Sequence, residues 1–363
     1  MRIAMLGHKQ IPSRAGGVEI VVGELSKRMA ALGHDVTCYN RGGDHEKQEQ
    51  YAGVRLKTVP TIDKKGLAAV TSSFFAAVAV AFSRAQVCHI HAEGPAFMSF
   101  LPKLFGKRVI VTVHGLDWQR EKWKSGFGAK YIRWGEKMAV RFADEIIVLS
   151  RNVQEYFLQR YGRETRFIPN GVTKPEKRLP QEMTARFGLQ GDDYILYLGR
   201  LVPEKGVHYL IEAFTQLKTD KRLVIAGGSS DTDTYVKNLK EQASGDSRIL
   251  FTGFVQGKLL EELYSNAYLY VLPSDLEGMP LSLLEAMSYG NCCVVSDIPE
   301  CTEVVEDHGA VFPKGNVQAL CVCLQKLCGN EPLAEHYRET ASDFICEKYD
   351  WDEVTRKTLE LYQ

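Results

Sequence analysis

Two apolar runs that each end in glycine, Arg2 to Gly7 and Tyr194 to Gly199, head two long series of similar short runs, and this doubling constrains the fold more than any other feature. A strand buried on both faces of a parallel sheet reads as a short continuous apolar run, and helical patterns between such runs supply the crossovers that parallel strands need. In the first series a polar, Gly-rich turn follows Gly7, a helical pattern covers Val18 to Leu32, and Gly33, His34 and Asp35 punctuate before Val36 to Tyr39 resumes as a strand. Further candidate strands are Val54 to Val59, Val87 to His91, Arg108 to His114 and Glu145 to Leu149. The second series continues with Arg222 to Gly227, Ile249 to Gly253, Ala267 to Leu272 and Cys292 to Ser296.

These patterns predict an α/β chain of two doubly wound, Rossmann-like domains facing across a cleft, with the carboxyl ends of the strands as the place to seek chemistry. A length of 363 residues at 45% hydrophobic content suits two domains better than one core. The segment Asn170 to Pro180, rich in Pro and Lys, reads as the linker. The expected domains are 1–172 and 173–345, with 346–363 as a terminal helix packing back on the first. The 45 basic and 45 acidic side chains cancel, so nothing global attracts nucleic acid or an anionic surface. Nine cysteines without a C-x-x-C pair read as free thiols in a reducing cytosol. Gly66 to Phe82, the longest apolar segment, falls short of the roughly 20 residues of a spanning helix and reads as a packed domain helix.

The most informative stretch is LPSDLEGMPLSLLEAMSYG, Leu272 to Gly290. A strand ends at Leu272, a loop carries Glu277 and Gly278, Pro280 suits a first helical turn, and Leu281 to Tyr289 has helical spacing with Glu285 about one turn inside. Bare amides near Leu281, Ser282 and Leu283 would favour a phosphate. In LGRLVPEKG, Leu198 to Gly206, Arg200 and Lys205 lie five apart in a loop, so both cations can converge on one anion. Gly16 and Gly17 precede a helix that begins with Val18 and Glu19, where backbone can approach a ligand. His114 ends a strand and precedes Gly115.

Glu, seven residues, Glu within EGMPLSLLEAMSYG resembles the signature of glycosyltransferase family four, and the resemblance extends over nearly the whole chain, including GRL with its following Lys and Gly. It implies a GT-B fold and retaining transfer of a sugar from a nucleotide diphosphate donor to a glycan or lipid-linked acceptor, as in bacterial cell-surface polysaccharide assembly. By that resemblance Glu277 meets the donor sugar hydroxyls, Glu285 the ribose, and Arg200 and Lys205 the diphosphate. Gly278, Met279, Leu281 and Ser282 complete the donor phosphate end, Gly16 and Gly17 approach the phosphate and the acceptor, His114 touches the transferred sugar, and Phe254 and Val255 flank the base. No metal and no cofactor are expected, because fixed cations and a helix terminus face the leaving group. Asp231, Thr232, Asp233 has the D-x-D form of a metal site, but its place before a helical pattern from Tyr235 reads as capping.

A dehydrogenase is disfavoured because the first loop reads LGHKQIPSRAGG, without G-x-G-x-x-G. An epimerase or an inactive homologue of the same fold stays open. Trp118 to Lys137 carries six Lys or Arg against two Glu, interleaved with Trp118, Trp123, Phe127, Tyr131 and Trp134. It reads either as a contact with the anionic cytoplasmic membrane face or as a helix with an aromatic inner side.

Overall fold

The computed structural model describes residues 1–43, 48–64, 66–121, 127–230 and 232–363. It divides into two compact units, Met1–Asn170 with Trp351–Gln363, and Gly171–Asp350. The division falls at Asn170/Gly171, two residues before the position read from the linker composition, and the chain returns to the first unit after Asp350. Cys346 to Lys348 thus do not start a terminal helix. They finish the long helix Glu331–Lys348, and the returning helix is Trp351–Glu360.

The first unit is built on strands β1 (Arg2–Leu6), β2 (Asp35–Arg41), β3 (Gln50–Tyr51), β4 (Val54–Val59), β5 (Val87–His91), β6 (Arg108–Val113), β7 (Glu145–Val148) and β8 (Arg166–Phe167), in the order β3-β4-β2-β1-β5-β6-β7-β8. Every pairing is parallel except β3 with β4. The sheet starts in the middle at β1 and winds both ways, so the direction of winding reverses between β1 and β5. Val109, Ile110, Val111 and Val113 are buried to completion, as a two-sided parallel strand requires. The returning segment is tied in by hydrogen bonds. Arg28 Nε donates to Asp352 Oδ1 at 2.8 Å, Arg108 Nε to the Leu361 carbonyl at 2.6 Å, and the Tyr362 hydroxyl meets His89 Nδ1 at 2.6 Å.

The second unit is a wholly parallel sheet of β9 (Tyr194–Leu198), β10 (Arg222–Ala226), β11 (Ile249–Gly253), β12 (Leu269–Leu272), β13 (Cys292–Ser296) and β14 (Ala310–Phe312), ordered β11-β10-β9-β12-β13-β14. Its winding reverses between β9 and β12, and in such sheets the ligand site lies outside the carboxyl ends of those two strands. All nine cysteines are free, and burial raises the thiols of Cys38 and Cys292 to about 12.

Candidate active site

The loops leaving β9 and β12 are the two that the sheet order marks, and they carry the residues singled out in the sequence. After β9, Leu201 and Val202 are buried and pin the loop to the core, while Pro203–Lys205 makes one turn of 3₁₀ helix. Gly206 follows at φ +66°, and a Cβ there would stand 2.0 Å from the Pro273 carbonyl oxygen. Glycine at this position is what lets the β9 loop close against the β12 loop. The Asp275 amide donates to the Glu204 carbonyl at 2.8 Å and completes the junction.

This closure places the Lys205 ammonium on the Glu277 carboxylate. The Ser274 hydroxyl donates to the same carboxylate at 2.7 Å. The side chains retain only 14% and 7% of their exposure, so the pair is far from the weak surface kind. Lys205 thus has Glu277 as a partner within this unit, a pairing that the sequence reading did not name. Arg200 sits at the mouth of the same loop, and its carbonyl accepts from the Tyr197 hydroxyl at 3.0 Å. Burial first, then the field of Glu277, pushes the Tyr197 phenol well up, while Arg200 pulls the other way.

The helix Leu281–Ser288 starts where the β12 loop ends, with Pro280 before it and no side chain capping it. The amides of Leu283 and Leu284 turn inward to the Pro280 carbonyl, at 3.0 and 3.2 Å, which removes Leu283 from the expected set of bare donors. Leu281 and Ser282 keep amides without a backbone partner among the described residues. A tyrosine frame, unread in the sequence, fixes this helix. The Tyr270 hydroxyl donates to Ser282 Oγ at 2.9 Å and to the Leu198 carbonyl at 3.3 Å. The Tyr264 hydroxyl donates to the Ser282 carbonyl and to Glu285 Oε2, both at 3.2 Å. Glu285 is half-buried one turn inside the helix, and Gly278 and Met279 are buried beneath its start. After β11, the Phe254 side chain is exposed and that of Val255 is core, which leaves the expected backbone contact of this segment with the base as it was.

In the first unit Gly16 precedes the helix Gly17–Ala31 in an extended conformation, and Glu19 folds back so that its carboxylate accepts the Lys9 amide at 2.8 Å. His114, half-buried at the end of β6, belongs to a histidine cluster. Its Nε2 lies 3.1 Å from His91 Nδ1, His91 stacks on His89 with ring centroids 4.2 Å apart, and His89 Nε2 meets Thr112 Oγ1 at 2.7 Å. Burial, reinforced by Arg120, lowers His114 to about 3, so the ring is neutral at pH 7. The alternation of His89 and His91 along β5 was the available signal for this cluster, because residues two apart share a face of a strand. Beneath the loop that follows His114 lie two buried carboxyl groups, Glu93 and Glu136. Glu93 accepts the Asp117 amide at 2.8 Å, and Glu136 accepts the hydroxyls of Tyr156 and Tyr161 at 3.0 and 2.6 Å.

Asp231 lies outside the described residues. Asp233 is the first residue of the helix Asp233–Ala243, which begins two positions earlier than read, so it serves the first turn and is not a cap. Among the described residues no group of three or more His, Cys, Asp or Glu is placed to hold a metal ion. Lys122, Trp123 and Lys124 lie outside the described residues, as does the side chain of Phe127. Of the remaining aromatics in that segment, Trp118 packs on the core with Arg133 over its ring at 4.5 Å, and Tyr131 packs on Phe97 at 5.1 Å. Trp134 alone of these three is exposed. Among the described residues no helix is long and apolar enough to cross a membrane.

Comparison with known proteins agrees with this fold. The model for Glycosyltransferase Family 4 matches residues 15–174, and that for Glycosyl transferases group 1 matches residues 181–344. An uncharacterized glycosyltransferase of Methanocaldococcus jannaschii is 27% identical, the match covering 100% of this chain and 98% of that one. The alpha-maltose-1-phosphate synthase of Mycobacterium tuberculosis is 26% identical over 100% and 99% of the two chains. Among solved structures, the sucrose-phosphate synthase of Thermosynechococcus elongatus superposes with a TM-score of 0.84 at 23% identity, covering 99% of this chain and 98% of that one. Anabaena HepE in complex with UDP and glucose gives 0.84 at 18% identity with the same coverage. Two parallel-sheet units of this kind define the GT-B class of protein. The chain belongs to glycosyltransferase family four.

Proposed function

We propose that the protein is a retaining, metal-independent glycosyltransferase that moves a sugar from a nucleotide diphosphate donor to a glycan or lipid-linked acceptor. The observation that carries this reading is the meeting, at the winding reversal of the second sheet, of the Lys205–Glu277 pair with the uncapped start of the helix Leu281–Ser288. In this reading the Lys205 ammonium, the Arg200 guanidinium and the Leu281 and Ser282 amides turn to the diphosphate as it gains charge on departing. Glu277, held by Lys205 and Ser274, offers its carboxylate to the sugar hydroxyls, and Glu285, steadied by Tyr264, offers its own to the ribose. Phe254 lies against the base. Gly16, Gly17 and the neutral His114 are the first unit's contributions, His114 as a hydrogen-bonding contact to the sugar and not as a general base.

In this reading the donor's anomeric C–O bond breaks as the acceptor oxygen bonds on the same face, and the departing phosphate oxygen takes the acceptor's proton. No side chain is required as nucleophile. Four of the similar structures carry UDP, UDP-glucose or a fluorinated UDP-glucose, which makes uridine the first base to try. The enzyme is placed on the cytoplasmic face of the membrane, as a peripheral protein meeting a membrane-held acceptor.

The deciding experiment is a panel of uridine, guanosine and thymidine diphosphate sugars, scored for sugar transfer and donor hydrolysis in excess EDTA. Turnover is expected to survive chelation in full. A strict demand for manganese or magnesium would overturn the metal-independent reading and would return Asp231 and Asp233 to candidacy. A donor sugar that is epimerised and never transferred would replace transfer by epimerisation. Glu285→Ala is expected to weaken nucleotide binding about ten- to a hundredfold, the worth of a hydrogen bond to a charged group. Unchanged affinity in titration calorimetry would remove Glu285 from the ribose.

A further inference from the structure

The helix Ala68–Ala81 is built inside out for a helix on a water-facing surface. Its sequence, AAVTSSFFAAVAVA, has no charged residue. Its polar Ser72 and Ser73 are buried, their hydroxyls turned back to the Ala69 carbonyl at 3.2 and 2.6 Å, while Phe74 and Phe75 point to solvent. A helix packed on one side normally places its polar residues on the other. The apolar face continues past the helix end into Phe82, 74% exposed, whose ring meets Phe105 edge-on at 4.7 Å. Leu104, 71% exposed at the end of the helix Phe100–Leu104, extends it further. Five aromatic and aliphatic side chains from two segments thus form one patch, all within the first unit.

The charges flanking this patch are mostly basic, although Lys103 is paired with Asp144. In the sequence, positions 62–84 and 100–107 contain Lys64, Lys65, Arg84, Lys103 and Lys107 against Asp63 alone. Lys64 and Arg84 are exposed at the two ends of the helix. The chain as a whole is neutral, so this is a local concentration of charge. A second copy seated symmetrically on the patch would bring two basic rims together, whereas an anionic lipid surface complements the rim and accepts the rings at its headgroup boundary.

We propose that the face formed by the helix Ala68–Ala81 with Phe82, Leu104 and Phe105 is the surface on which the protein lies against an anionic lipid leaflet. It gives a surface to the peripheral location proposed above and rests on that reading for its partner, yet it shares no residue with the donor site. It also moves the contact away from Trp118 to Lys137, where Trp118 and Tyr131 are engaged in packing.

Co-sedimentation with phosphatidylcholine vesicles, with and without phosphatidylglycerol, tests it. Binding should require phosphatidylglycerol and weaken with salt. It should fall about 30-fold in Lys64→Glu/Arg84→Glu, each basic residue near an anionic surface being worth roughly a factor of five. It should be lost in Phe74→Ser/Phe82→Ser, which changes exposed positions and should leave the melting temperature and nucleotide affinity as they were. Lys130→Glu/Lys137→Glu should bind as the parent does. Binding that ignores the first two variants, or that is lost in the third, overturns this surface while leaving peripheral attachment in place. No binding to any vesicle overturns both. A concentration-dependent dimer that Phe74→Ser/Phe82→Ser abolishes would assign the face to a second copy instead.

Discussion

Arg200→Ala should lower the rate of transfer at saturating donor about a hundred- to a thousandfold, the usual loss when one preorganised donor to a developing anion is removed, while the fold stays intact. Lys205 cannot be tested so simply. Its ammonium is matched by Glu277 in a pair whose side chains keep only 14% and 7% exposure. Lys205→Ala leaves a nearly buried carboxylate without its partner, and breaking such pairs costs on the order of 3–5 kcal/mol of stability. A loss of activity there would mix unfolding with chemistry. The double variant Lys205→Met/Glu277→Gln removes both charges together and keeps the shapes, so it should melt near the parent temperature yet transfer sugar no faster than Arg200→Ala. Single-turnover assays beside thermal melts separate the two effects. Parent-like turnover in Arg200→Ala, or in a stably folded double variant, would remove the diphosphate from this loop.

Stability should fall steeply as pH drops below about 6.5, and the first unit should be where it fails. Burial lowers His8 to about 4 and His89 and His114 to about 3, and burial, then the neighbouring rings of His89, His114 and His8, holds His91 well below its ordinary value. Between the unfolded value near 6.5 and these folded values the unfolded chain binds protons that the folded chain refuses, so acid favours unfolding at about 1.4 kcal/mol per pH unit for each ring. Asn40 and Glu19 raise His8 against Arg41, and Arg120 acts on His114, yet burial is the leading cause for each. Glu93 works in the opposite sense. Burial, then Asp117 and Glu136, hold its carboxyl well up, so the unfolded chain releases a proton as pH rises above about 4.5. Four rings against one carboxyl leave the net slope with the histidines. Urea midpoints measured at pH 7.5 and pH 5.5 should differ clearly, with the lower value at pH 5.5. Equal midpoints would show that the cluster titrates as exposed histidines do.

The strands that organise both sites were legible because each is a short apolar run closed by a turn residue, and β1, β9 and β12 match their expected positions to within two residues. The pieces β8 and β14 escaped, having two and three residues and no periodicity to show. The fourteen residues of Ala68–Ala81 were read as a packed domain helix, and they do pack, but the reading did not show that Phe74 and Phe75 are exposed. A stripe of polar residues is what tells the outer face from the inner, and here the serines lie inward. The start of the helix Leu281–Ser288 could be read from Pro280 and the spacing that follows. The partnership of Lys205 with Glu277 could not, because the two residues are 72 positions apart and meet only through the parallel crossover that sets β12 beside β9.

The return of Trp351–Gln363 to the first unit makes the second unit an insertion within the first. Its entry and exit lie side by side. Val172 pairs with Asp350 in a parallel bridge, and the Val172 amide donates to the Tyr349 carbonyl at 2.6 Å. Excision at these two adjacent points would free a continuous segment that carries its complete six-stranded sheet. Residues 1–170 expressed alone would instead lack the hydroxyl of Tyr362 on His89, the Leu361 carbonyl on Arg108 and the carboxylate of Asp352 on Arg28. During synthesis the first sheet must therefore wait for residues 351–363 to leave the ribosome before its histidine layer is closed, whereas the inserted unit has all its strands in hand before that.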